Sequence, residues 1–448
     1  YKITLLNAIH YESVSINKIR DFPVLIKGGA KNEEGNDILT VWGVNTSSAR
    51  IITLLQGNLT IKNIEFIQTV SLTEQGNQIW PWNAIIFAYD EVFSFRILSV
   101  DSCIFKGLGS QTPVRMMIYA YNVQKMNLTN CIFHDANISD SYAVCYQSQS
   151  NSEIIIDNST FENINITNSG DGVLYIYISG QNSRMTINGS SFNNVTDGAY
   201  IYNFGDNSRM IINGSTFLNS SRGVYIYNFG YYTVITITGS TFENCVNNSY
   251  SSNSAALYIQ SYSSSQNPNS YIIIQNKFIN NFGYYTGGFY GYFLYGGTFN
   301  FSYNEFIHNR NNLSIFGNDA YLRWYQYPQD WTIDNAKYKV QKMFENCTPS
   351  NEKNVYYEFR VNDVFDISGY ITSGVVEQDP GDDLEEGTEG CIWNVNQTGD
   401  GISTKKTIKG VLAGNCTDPE GYKITLLNAI HYESVSINKI RDFPVLIK

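Results

Sequence analysis

The chain has 448 residues, 43% apolar, 15% aromatic and only 15% charged, with a formal net charge of −11 and a pI near 4.9. That balance excludes a nucleic-acid interface, which needs a basic stripe to neutralise phosphates, and no Lys/Arg cluster suits an anionic membrane surface. No apolar run reaches the roughly 18 residues that a membrane-spanning helix requires, so no such span is expected.

The chain opens with YKITLLNAIHYESVSINKIRDFPVLIK (1–27), and the same 27 letters return unchanged at 422–448, a period of 421 residues (422 − 1). Its first residue is Tyr1, which reads as a processed start or as a window cut from a longer chain. The acidic stretch NEEGND (31–36) reads as a solvated loop.

From residue 66 onward a second ruler runs through the chain. Phe66, Phe105, Phe133, Phe161, Phe192, Phe217, Phe242, Phe278 and Phe306 recur at steps of 25 to 39 residues. Between them lie short alternating segments such as RMIIN, VYIYN and ITITG, separated by Gly, Asn, Asp and Ser. These are strand and turn signals with little room for helix. Residues 188–212 and 213–237 match at thirteen of 25 positions without a gap. A unit of this length cannot bury its own apolar face, whereas stacked units share a core, so the pattern predicts coils of a parallel β-helix.

Two residues after the Phe, an Asn recurs at Asn163, Asn194, Asn219, Asn244 and Asn280. It predicts a left-handed turn whose buried amides bond from coil to coil, an asparagine ladder. Ile176, Ile201 and Ile226 are flanked by Tyr175/Tyr177, Tyr200/Tyr202 and Tyr225/Tyr227. Alternation puts Ile inside and a Tyr stripe outside, readable as scattered surface residues, a lateral contact between rods or a carbohydrate platform. The Gly- and aromatic-rich stretch 280–300 is the best single contact patch, or else a packed loop. Cys103 and Cys131 both lie two residues before a Phe. At a strand spacing of about 4.8 Å they suit either a stacked disulfide or a buried pair of thiols.

Asn-x-Ser/Thr sequons number sixteen, about twice what random placement of Asn, Ser and Thr gives. They lie at Asn45, Asn58, Asn127, Asn137, Asn158, Asn165, Asn188, Asn213, Asn247, Asn300, Asn312, Asn346, Asn396 and Asn415, with Asn194 and Asn219 in the ladder. The last two are expected bare because a buried amide is closed to glycan transfer, with Asn188 and Asn213 better placed to carry sugar. N-linked glycans imply a secreted, extracellular or cell-surface protein.

Chemistry is sparse. The run EQDPGDDLEEGTEG (377–390) carries seven acids between Glu377 and Glu389 but lacks the fixed spacing of a calcium loop. It reads as a solvated linker, with a loose Ca²⁺ site as the alternative. The four histidines show no metal-ligand spacing, and His134 and His308 read as turn residues. No catalytic residues, cofactor or enzyme activity are expected. Only Asp171, Asp197 and Asp206, if folding gathered them, would suit a polysaccharide hydrolase or lyase.

The stretches TINGSSFNN (186–194), IINGSTFLN (211–219) and TITGSTFEN (236–244) resemble right-handed parallel β-helix repeats of the pectin-lyase-like superfamily. The resemblance covers 1–310 and 391–448 well and 311–390 weakly. It implies an all-β solenoid with coils over 1–310, last coils and an irregular part over 311–376, and an acidic linker over 377–390. Residues 391–448 would then hold a short capping helix (about 403–413) and the first strands of a next repeat. Cys145, Cys245, Cys347, Cys391 and Cys416 leave several pairings open, of which a Cys391–Cys416 bridge would clamp that helix. The superfamily's catalytic patterns, an Asp pair followed by Gly-His-Gly and Arg-x-Lys, are missing. The expected function is a structural repeat unit of an extracellular glycosylated filament, its partners being further copies head to tail and its own glycans. A surface adhesin or glycan-binding protein is the alternative.

Overall fold

The computed structural model describes the chain apart from residues 7–8, 18–22, 36–37, 45–49, 69–83, 90–95, 110–112, 115, 140, 168–171, 248–253, 263, 265–266, 295–296, 314–315, 329–330, 362–363, 374–391, 396–403, 406–421, 427–444 and 448. Each coil turns through three strands, as in Glu153–Asp157, Thr160–Thr167 and Leu174–Ile178, followed by Arg184–Asn188, Ser191–Val195 and Asp197–Asn203. Successive coils pair in parallel, building three long sheets of 11, 12 and 13 strands. The fold is a right-handed parallel β-helix. Two compact units are present: residues 1–333 with 340–375, and residues 334–339 with 376–448.

The phenylalanine ruler is the axis of the first unit. Phe66, Phe105, Phe133, Phe161, Phe192, Phe217, Phe242, Phe278 and Phe306 occupy one register position in the second sheet. Their rings stack at centroid distances of 4.6 to 5.1 Å, and Trp42 heads the column 5.8 Å from Phe66. Such stacks add to the hydrophobic gain of the buried rings. Left-handed residues bracket the Phe on both sides. Three before it stand Asn130, Asn158, Gly189, Gly214, Gly239 and Gln275, and two after it Asp135, Asn163, Asn194, Asn219, Asn244, Asn280 and His308, with φ between 48° and 58°. Glycine at 189, 214 and 239 relieves the Cβ clash there.

A second buried column lies two residues before the Phe. The backbone N–H of Cys131 donates to Ser159 Oγ, and that of Ser159 to Ser190 Oγ. The pattern continues through Ser215 and Ser240 to Asn276 and Asn304, at 3.0 to 3.2 Å. Cys103 and Cys131 belong to this column as free buried thiols, so the stacked disulfide is not formed. Each thiol meets backbone carbonyls instead, Cys103 that of Asp101 at 3.4 Å and Cys131 that of Thr129 at 3.3 Å. Burial pushes the Cys131 thiol up to about 12, outweighing its backbone hydrogen bonds. Cys391 and Cys416 lie outside the described residues.

The helix among the described residues is Ala336–Met343, after the last Phe coil rather than before the first. Its C-terminal end delivers Phe344, which stacks on Phe301 at 5.6 Å and lies 6.4 Å from Phe306, closing the ring column. The helix expected near 403–413 is represented there by a short strand, Thr404–Lys405, and residues 406–421 are not described. The third sheet continues through Ala320–Trp324 and Val355–Val361 to an antiparallel partner, Val364–Ile371. The acidic run 377–390 lies outside the described residues.

At this end Asp319 is fully buried. Its Oδ1 accepts from Asn309 Nδ2 (3.1 Å) and Ser350 Oγ (2.6 Å), and its Oδ2 from Ser350 N (2.9 Å) and Asn354 Nδ2 (2.6 Å). Burial raises its pKa above the ordinary carboxylate value, and the four donors oppose this only in part. The folded state therefore holds a proton that the unfolded chain has released, and stability should fall as pH rises from about 4 through the folded pKa. Asp319→Asn should remove that slope in urea titrations at several pH values. It should also cost about 1–3 kcal/mol, because its amide would turn a donor toward donors. Phe192→Ala, at the centre of the ring column, should cost about 3–5 kcal/mol by the same measurement.

Candidate functional site

Ile176, Ile201 and Ile226 point inward and are fully buried, as alternation requires. Their tyrosine neighbours project from the outer face of the third sheet in two columns. Register aligns Phe87 with Tyr119, then Tyr175 with Tyr200, Tyr225, Tyr258, Tyr290, Tyr321 and Tyr356. The second column runs through Tyr177, Tyr202 and Tyr227.

The expected open stripe proves to be graded. Tyr200 is 8% exposed and Tyr225 3%, so the first column is a second, external core. Tyr200 packs on Tyr225 at 5.8 Å and Tyr202 at 5.2 Å, and the Tyr225 hydroxyl donates to the Ser254 carbonyl at 2.8 Å. Tyr175, Tyr177, Tyr202 and Tyr227 are half-buried. Beyond them Phe204, 43% exposed, stacks on Phe229 at 4.6 Å, and Phe229 on Tyr262 at 4.7 Å. Facing outward did not mean facing water, because a ring between two rings has lost both faces to its neighbours. Within 280–300, the strand Phe289–Phe293 places Phe289, Tyr290 and Phe293 in the cores, while Phe282, Tyr284, Tyr285, Tyr292 and Phe299 are half-buried.

An ion pair anchors the central stretch of this face. Asp197 and Arg222 begin successive strands and sit in register. Arg222 Nε donates to Asp197 Oδ1 at 2.7 Å, and its terminal nitrogen donates to Oδ2. The guanidinium lies 4.7 Å over the Tyr225 ring. Burial acts to lower the Arg222 pKa, but hydrogen bonding and charge from Asp197 win and raise it. Asp206 lies in the turn beyond the other end of the Asp197 strand, accepting from the Tyr231 backbone N–H at 2.7 Å. Asp197 and Asp206 thus have separate partners and form no shared cleft, and Asp171 lies outside the described residues. Among the described residues no group of three or more His, Cys, Asp or Glu is arranged to hold a metal.

The asparagine ladder exists but is exposed. Asn194 Nδ2 donates to Asn163 Oδ1 at 2.9 Å and Asn244 Nδ2 to Asn219 Oδ1 at 3.2 Å, whereas Asn219 reaches Asn193 instead of Asn194. The turn residues stand proud of the coil and line a polar groove of 640 Å³ with Asp135, Asn165 and Thr196. Exposure removes the reason for expecting Asn194 and Asn219 bare. Asn188 and Asn213 form a ladder of their own, Asn213 Nδ2 donating to Asn188 Oδ1 at 2.8 Å and Asn188 Nδ2 to Asp157 Oδ1 at 2.6 Å. The fully buried amide ladders are elsewhere, at Asn276–Asn304, Asn281–Asn309 and Asn203–Asn228.

The sequons sort by face. Asn158, Asn213, Asn300, Asn312 and Asn346 are exposed, and Asn58, Asn127, Asn137, Asn165, Asn188 and Asn247 half-buried. Asn45, Asn396 and Asn415 lie outside the described residues. None of the described sequons falls on a strand of the third sheet.

Arg222→Ala should lower stability by about 3–5 kcal/mol in chemical denaturation, since it strands the Asp197 carboxylate under the tyrosines. Replacing both partners by Leu should recover most of that loss. Comparison with known protein families, with curated proteins and with solved structures finds no match to this chain.

Proposed function

We propose that this chain is a structural repeat unit of an extracellular, N-glycosylated filament made of β-helices in tandem, on a scaffold of the pectin-lyase-like type without its catalysis. One observation carries the reading. The duplicated segment makes the same strand pair twice: Lys2–Leu5 pairs in parallel with Val24–Gly28 through Lys2↔Leu25 and Ile3↔Ile26, and Tyr422–Leu426 pairs with Val445–Ile447 through Lys423↔Leu446 and Ile424↔Ile447. Positions 2, 3, 25 and 26 of the first copy correspond to 423, 424, 446 and 447 of the second (each + 421). Residues 422–448 therefore read as the opening of a second unit.

The work of such a unit is mechanical. Its hydrogen bonds run along the axis in three sheets, so an axial load is shared by many parallel ladders. Glycans on the first and second sheets would keep those sides soluble, while the aromatic side is left for contact. Ring faces there are already stacked on one another, which favours protein contact through ring edges and hydroxyls over stacking of sugar rings.

The mass of the native polypeptide, denatured, reduced and stripped of N-glycans, tests the reading. A value well above 50.7 kDa and stepping with the 421-residue period is expected, and the drop on deglycosylation counts the sugars. A value near 50.7 kDa would defeat the covalent array.

A further inference from the structure

The turn column that carries Asn163, Asn194, Asn219 and Asn244 changes chemistry in its last coils. Its final members are Asn280 and His308, both left-handed, with φ of 54° and 52°. They line an open pocket of 370 Å³ with Arg310 from the next strand and with Asn318, Ser350 and Asn351 from the loops that follow. Its floor is Asn309, whose buried amide donates to the Phe278 carbonyl at 2.8 Å and to Asp319 Oδ1 at 3.1 Å.

The groups around this pocket are one-sided. No Asp or Glu lines it among the described residues, in a chain whose net charge is −11. Arg310 has no ionic partner among the described residues. Its guanidinium rests 5.6 Å from the ring of Phe282, its register neighbour in the coil before, and is thereby placed without being neutralised. The side chains of Asn280, His308 and Asn351 make no hydrogen bond among the described residues. Asn318 uses only its Oδ1, which accepts from the Asn311 N–H at 3.2 Å. Three amide NH₂ groups, an imidazole and a guanidinium are therefore free to donate.

We propose that this pocket binds a tetrahedral oxyanion, a sulfate or phosphate group. Arg310 supplies the fixed charge, and the donors come from separate stretches, at 280, 308–310, 318 and 351, so that they surround a ligand able to accept on every side. A planar carboxylate would engage one or two of them. The pocket is roomier than a single such group and also suits a sulfate or phosphate monoester. Asp319 lies beneath the floor, accepting from Asn309 and Ser350. An anion above it opposes its ionisation, and burial already favours its neutral form, so the two negative charges need not coexist. The site does not rest on the repeat-unit reading.

Urea titrations at about pH 5, below the ordinary histidine range, test the site by exchanging chloride for sulfate at equal ionic strength. Sulfate stabilises folded proteins generally through exclusion from their surface, so binding is read as a difference between chains. The wild-type midpoint should rise more in sulfate than that of Arg310→Gln. Asn318→Asp, which puts an acid into the pocket and keeps the acceptor for Asn311, should also lose most of the extra rise. Arg184→Gln, which removes an exposed arginine outside the pocket, should keep all of it. Equal rises in all four chains would overturn the site.

Calorimetric titration of the unaltered chain is independent of how the variants fold. Saturable binding of inorganic sulfate alone assigns the free ion, and saturable binding of methyl sulfate assigns an esterified group. Binding of neither overturns the proposal.

Discussion

Everything in this molecule depends on one geometric demand: each side chain must tolerate a neighbour in the same position one strand spacing, about 4.8 Å, along the axis. Rings satisfy it by stacking, which is why the Phe column runs unbroken from Phe66 to Phe306. Hydroxyls and amides satisfy it by accepting a backbone N–H from the coil before, as in the column from Cys131 through Ser240 to Asn304. Charge satisfies it poorly. The stacked charges accordingly alternate in sign, in Lys62–Asp101, Lys125–Glu153, Asp197–Arg222, Lys277–Glu305 and Arg323–Glu358. Lys27 opposite Lys62 and Arg184 opposite Arg209 depart from this pattern, and the two arginines are exposed to water that screens them.

That demand decides what could be read from the letters. A position filled by the same residue in every coil, such as the Phe, is visible as a repeat, and the sheets follow from it. The column two residues earlier was hidden because Cys, Ser and Asn differ as letters while sharing one task, accepting a backbone N–H from the coil before. The left-handed Asn after the Phe was legible, but its exposure was not, because φ says nothing about which side of the turn meets solvent. For Tyr200 and Tyr225 alternation gave the correct face and the wrong environment. Period-two patterning orients a side chain relative to its sheet, and burial on the outer face depends on ring size, on neighbours above and below, and on a cation such as Arg222 laid across them.

The three faces of the coil have consequently diverged in chemistry although they share a backbone. The first and second sheets carry described sequons such as Asn127, Asn188, Asn137 and Asn165, and the Asn188–Asn213 ladder, so their outer surfaces present hydrogen-bonding groups at a fixed axial spacing. The third presents a closed aromatic column, a half-open one and an exposed flank at Phe204. In a filament this asymmetry gives each unit a sticky side and a hydrated one. Rotation of one unit relative to the next would then decide whether the sticky sides line up or spiral.

The ends of the coil obey a harsher version of the same demand, because a terminal residue has a neighbour on one side only. At the far end the ring column stops on Phe344, the buried Asn281–Asn309 ladder on Asp319 with its four donors, and parallel growth of the third sheet on the antiparallel strand Val364–Ile371. A unit closed in this way cannot extend its Phe column into its successor. In the proposed array each unit would therefore keep its own core and melt as its own cooperative block, and the length of the period would set how often along the filament one block gives way to the next.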